Sequence, residues 1–201
     1  MKHQHMKHTL TLHARRAGMA LAAAVAISAL GTGTALAQQF TTAELGLDRA
    51  GNLECRFRET GLGAFSIIAY NCGAEALGVV SGCYVRNKFV GPTSVSVFKD
   101  VSSSEEGQPT TLVARNNGTI GPTTLTAEIP ESEGGEQGHL CTEPAEERVI
   151  AVRWCNASLV DVTNNIVGAS VGELFEQLES TGTSAVVVPT CAELQAAPPT
   201  P

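Results

Sequence analysis

Hydrophobic and polar positions alternate with a period of two over much of the chain. Leu53, Cys55 and Phe57 fall on one face and Glu54, Arg56 and Arg58 on the other, which predicts a half-buried β-strand. Glu59 to Gly63 breaks the run as a turn. Phe65 to Cys72 (FSIIAYNC), β-branched and aromatic, predicts a second strand, followed by a glycine-rich connection through Gly73 and Gly78. Cys83 to Val90 alternates again until Gly91-Pro92, and Thr93 to Val101 predicts the next strand. Thr110 to Arg115 and Thr123 to Ile129 read as the arms of a hairpin, because Asn116-Asn117-Gly118 suits the positive φ of a tight turn. Gly121-Pro122 marks an irregular or edge position. Arg148 to Thr163 holds one or two strands around Trp154, which belongs in the core, and Ser184 to Val188 a last one.

Helical periodicity is confined to Val171 to Ser180, where Val171, Leu174, Phe175 and Leu178 share one face. A short amphipathic helix there is expected to cover a sheet edge or sandwich end. The pattern as a whole predicts an all-β fold: an antiparallel β-sandwich, immunoglobulin-like ahead of a closed barrel, with one short C-terminal helix. Residues 38–51 form a polar lead-in with at most one short strand. Residues 52–191 form a single disulfide-containing β-domain, and 192–201 a disordered tail of proline and alanine.

Before the lead-in, Lys2, Lys7, Arg15 and Arg16 precede an apolar run from Ala17 to Leu30 and the small-residue end Ala35, Leu36, Ala37. This is the layout of a secretory signal peptide over 1–37, cleaved before Gln38. The run of about 14 residues is shorter than the roughly 20 that span a bilayer, so no stable membrane insertion is expected after cleavage. The flanks of Arg15-Arg16 favour a plain Sec signal over twin-arginine export. Cleavage changes the charge: the 201-residue chain carries 13 basic and 20 acidic residues, and the segment removed holds four of the basic ones and no acid. What remains has nine basic residues against twenty acids, a formal −11, and one histidine, His139. Nucleic acid is excluded as a partner on that balance, since phosphate binding draws on clustered Lys and Arg.

The six cysteines, Cys55, Cys72, Cys83, Cys141, Cys155 and Cys191, all lie beyond the signal segment. An even count in an exported chain predicts three disulfides in a secreted or periplasmic setting. Zinc needs close ligand pairs, whereas the shortest separations here are 11 and 14 residues. Six cysteines allow fifteen connectivities. Among them Cys83 with Cys141 is preferred, because it would pin the start of a strand to the far end of an acidic loop.

That loop, 130–147, is the main store of candidate chemistry. Glu131, Glu133, Glu136, Glu143, Glu146 and Glu147 crowd into it together with His139, and Glu128 lies just before it. Glycoside hydrolysis needs two facing carboxyls, one with a raised pKa, whereas mutually repelling glutamates in a glycine-rich loop are expected to be solvated. Calcium is the other use for them, but the calcium-loop pattern is missing. His139 has no nucleophile motif beside it and is expected to be an exposed loop residue. No catalytic, cofactor-binding or metal residue is therefore assigned, and no cofactor. Asn117-Gly118-Thr119 and Asn156-Ala157-Ser158 are sequons that matter only in a glycosylating host.

Leu53 to Gly63 (LECRFRETGLG), with Cys83, Asn117-Gly118 and Ala157 to Asn164 (ASLVDVTN), resembles a group of small, secreted, uncharacterised bacterial proteins over roughly 52–168. The resemblance implies export, a β-rich domain, and a pairing of Cys83 with a cysteine late in the chain; it carries no activity. The expected function is a non-catalytic extracellular β-sandwich with a binding or structural role, its partner an extracellular protein or cell-surface component. The alternatives are a secreted hydrolase using the acids near 128–147, and a secreted protease inhibitor presenting a loop braced by Cys72 and Cys83.

Overall fold

The computed structural model describes residues 37–104, 108–131, 141–182 and 186–200. The segment 1–37 that the sequence reads as a signal peptide lies outside them, apart from Ala37. Alternation in Leu53–Thr60 becomes strand β2, with Leu53, Cys55, Phe57 and Glu59 all buried and Arg56 and Arg58 exposed. Its antiparallel partner is β1 (Gln39–Leu47), a nine-residue strand in what the sequence suggested was a mainly irregular lead-in. Asp48 closes the turn between them: Oδ1 accepts the Ala50 and Asn52 N–H groups at 2.8 and 2.9 Å, and Oδ2 accepts Asn52 Nδ2 at 3.0 Å.

The largest departure from the expected elements is β3 (Ile67–Val85), one 19-residue strand where two strands and a glycine-rich connection were expected. Its glycines serve close approach. A Cβ on Gly78 would lie 2.7 Å from both methyls of Leu194, and one on Gly82 2.5 Å from Ile150 Cδ1. The expected strand Cys83–Val90 is instead a hairpin corner, because Arg86 and Asn87 both take positive φ (49° and 65°) and return the chain as β4 (Lys88–Ser102). Asn116-Asn117-Gly118 does turn, with Gly118 at φ 69°, but its arms do not pair with each other. β5 (Thr110–Val113) pairs with β3, and β6 (Ile120–Ala127) pairs with β2.

β7 (Glu146–Asp161) lies beside β3 and pairs in turn with β8 (Ile166–Gln177). The helix expected over Val171 to Ser180 is thus corrected to strand. Leu174 turns inward opposite Trp154, while Phe175 faces out beneath the Arg153 guanidinium, 5.0 Å from its ring centre; pairing with β7 overrides the helical spacing. The short helix is α1 (Cys191–Ala196), which after its first residue lies inside the segment 192–201 expected to be a disordered tail. Thr190 and Glu193 form a capping box at its start, and Lys99 Nζ donates to the carbonyls of Leu194 and Gln195 at its end. Beyond it, the N–H of Thr200 donates to Val97 O and its hydroxyl accepts from Val97 N, both at 2.7 Å, so the last residues cover the β4 edge. Of the strand expected over Ser184 to Val188, residues 184 and 185 lie outside the described residues, and Val186 to Val188 form none.

The strands build two sheets, β1-β2-β6 and β4-β3-β7-β8, with β5 also on β3. They pack as an antiparallel sandwich around Leu53, Phe57, Tyr70, Leu77, Val152, Trp154 and Leu159. Setting β5 aside, that order is the immunoglobulin-like one. The disulfide and the tryptophan sit differently from antibody domains: Cys55–Cys72 joins β2 to β3 across the core, and Trp154 stands on β7 with its Nε1–H donating to Gly51 O at 2.8 Å. Cys83–Cys141 is the pairing preferred from the sequence, and Cys155–Cys191 fastens α1 to β7. Disulfides of this kind each stabilise a fold by about 2 to 4 kcal/mol.

Candidate functional site

Two groupings of polar side chains stand out among the described residues. The first lies between the sheets. Glu59, at the end of β2, continues the inward face of Leu53, Cys55 and Phe57 and is fully buried, as are Tyr70 on β3 and Asp161 at the end of β7. The Tyr70 hydroxyl donates to Glu59 Oε2 at 2.6 Å. Asp161 accepts from the backbone and side-chain N–H groups of Asn164 at 3.0 and 2.5 Å. Glu59 Oε1 receives no donor. Burial pushes the Glu59 carboxyl above its ordinary range; the Tyr70 hydroxyl opposes that rise, and the Asp161 carboxylate adds to it by charge and as a hydrogen-bond partner. Burial, then the Glu59 carboxyl, push the Tyr70 phenol up as well. Asp161 has two donors for its carboxyl, whereas Glu59 has one, so Glu59 is the acid left with an unsatisfied buried oxygen whenever it is charged.

The second grouping is on the outer face of the larger sheet. At one level of β3, β4 and β7 the pleat changes which residues face the core. Tyr70, Cys72 and Ala74 face it before this level, Leu77 and Val79 after it; on β7, Leu159 and Ala157 give way to Trp154 and Val152. Glu75, Asp100 and Asn156 occupy the level, all exposed, with Asp100 and Asn156 at φ 51° and 54°. Asn156 Nδ2 donates to Glu75 Oε2 at 2.6 Å. These three, with Asn71, Ser102, Ser104 and Ser158, line a depression of about 540 Å³. Asn71 Oδ1, in its lining, is buried without a partner. The lining is rich in oxygen acceptors and hydroxyls, a surface suited to ligand groups that donate hydrogen bonds.

Among the described residues, the acids singled out from the sequence form no cluster. Glu128, Glu131, Glu143, Glu146 and Glu147 are all exposed, and Glu146 is engaged by Arg148 at 3.1 Å. Glu133, Glu136 and His139 lie outside the described residues. Among the described residues, no group of three or more His, Cys, Asp or Glu is placed to hold a metal ion. The two carboxyls buried among the described residues escaped the sequence reading, Glu59 as the start of a turn and Asp161 as one position of an expected strand. Their signal was present: each extends the inward face of an alternating strand, Glu59 after Phe57 and Asp161 after Leu159.

No protein-family model, curated protein or solved structure matches this chain. The class rests on the fold itself, an all-β, disulfide-bonded sandwich, and the three bridges point to an oxidising extracellular or periplasmic environment.

Proposed function

We propose that the chain is an exported, non-catalytic β-sandwich that binds an extracellular protein or a cell-surface component. The observation that carries this is that all six cysteines are consumed in three disulfides, which cytosolic thiol reductants would oppose. The signal-like segment 1–37 accounts for the export. The depression around Glu75 and Asp100 is the surface assigned to the partner, since its side chains stand outside the core while both buried carboxyls are spent between the sheets.

Affinity capture from extracellular material with the oxidised protein tests the proposal. A macromolecule retained reproducibly by the wild type and lost when Glu75→Ala and Asp100→Ala are combined supports it. Retention of nothing, together with turnover of a small substrate that disappears in Glu131→Ala, would replace binding with hydrolysis.

A further inference from the structure

The buried carboxyls give the sandwich a property separate from partner binding. We propose that Glu59, Tyr70 and Asp161 form a proton-dependent clamp between the two sheets, closed while Glu59 carries a proton and loosened when that proton leaves. Glu59 belongs to the three-stranded sheet, Tyr70 and Asp161 to the larger one. The clamp is therefore a polar bridge across a mainly apolar interface, at a different place from the Trp154–Gly51 hydrogen bond.

Among the described residues, no cation acts on Glu59. Phe40 on β1 and Ile120 on β6 are the pairing neighbours of Glu59, and Ile166 on β8 is that of Asp161. The turn after β7 contributes only the neutral Asn164. Tyr70 and Asp161 are the groups that act on Glu59; neither is a cation. With the proton present, the Glu59 carboxyl can donate toward Asp161 while it accepts from Tyr70. Without it, Glu59 is a fully buried carboxylate with one oxygen lacking a donor, and its one donor, Tyr70, is paired in register with a second buried acid, Asp161.

The direction in pH follows from linkage. The folded pKa of Glu59 is raised above the ordinary 4.5, so the stability tied to its proton is complete below that value. It is lost as pH rises through the raised folded value. The Cys55–Cys72 bridge holds the sheets together four residues away along β2, so loosening is expected at the Glu59 end, around the Phe40, Phe57 and Tyr70 rings. The clamp suits a protein that works in mildly acidic surroundings, and the formal −11 beyond residue 37 adds to the repulsion as pH rises.

Urea unfolding of the oxidised protein as a function of pH, for wild type and Glu59→Gln, tests the clamp. The glutamine amide donates to Asp161 and its carbonyl accepts from Tyr70 without a titrating proton. Across the window above the ordinary carboxylate range, the wild-type unfolding constant is expected to rise by up to about tenfold per pH unit relative to the variant. Parallel curves would overturn the proposal. Should Glu59→Gln fail to fold, the carboxyl ¹³C shift of Glu59 in the wild type decides. A midpoint above the ordinary range that falls in Asp161→Asn supports the clamp; an ordinary midpoint overturns it.

Discussion

Gly78 is the seat of Leu194, and enlarging one while shrinking the other should reveal it. The ideal Cβ of an alanine at 78 would stand 2.7 Å from both Leu194 methyls, so Gly78→Ala forces α1 outward. Because the clash is with the ends of a side chain that can shift, the cost is at the low end of overpacking, about 1 kcal/mol. Leu194 is fully buried against Ala76, Val97 and Cys155, so Leu194→Ala should cost about 2 to 3 kcal/mol through the cavity it leaves. In the double variant the added methyl fills part of that cavity. Its cost should fall short of the sum by about 1 kcal/mol or more. Equilibrium urea unfolding with the disulfides intact measures all three, from midpoints at a common slope. Gly172→Ala is the control, since nothing lies within 4 Å of the place a Cβ would take there; it should be neutral or slightly stabilising. Additivity of Gly78→Ala and Leu194→Ala to within about 0.5 kcal/mol would refute the packing of α1 on Gly78.

Other consequences follow from single contacts. Trp154→Phe strands the Gly51 carbonyl in the core and should cost about 1 to 3 kcal/mol by thermal unfolding, with retention of wild-type stability counting against the bond. Replacing Cys155 and Cys191 together by serine should cost about 2 to 4 kcal/mol and make the residues after Thr190 removable by carboxypeptidase while the sandwich survives. At Asp48 burial raises the pKa, but hydrogen bonds from Asn52, Ala50 and Gly51 outweigh it and the net shift is downward. Stability supplied by Asp48 is therefore present above the ordinary carboxylate value and lost as pH falls through the lowered one. Asp48→Ala should destabilise the protein at neutral pH, by about 1 kcal/mol, and this difference should vanish in strong acid.

How far the fold could be read from the sequence depended on what each signal measures. The alternation of Leu53 to Arg58 has one meaning, a strand with one dry face, and β2 obeys it. Glycine has two, a turn or a close approach, and only the tertiary structure chooses: Gly118 makes a turn, whereas Gly73, Gly78 and Gly82 let neighbouring atoms press against β3. The spacing of Val171, Leu174, Phe175 and Leu178 suits a helix, yet Leu174 and Phe175 end on opposite faces of β8 because β7 offers a partner edge. Thr190-x-x-Glu193 was a legible helix start, hidden by the prolines that follow it. The buried carboxyls were the hardest to find, because strand alternation says which way Glu59 and Asp161 point only once the strand ends are known.

Export into an oxidising compartment underlies the proposed role, and the intact mass of the protein recovered outside the cytoplasm of the cells that make it tests this most directly. The predicted species begins at Gln38, is lighter than the reduced chain by the two hydrogens of each of its three disulfides, and takes up no thiol reagent. A protein found inside the cell, retaining residues 1–37 with reactive thiols at Cys55, Cys72, Cys83, Cys141, Cys155 and Cys191, would contradict it.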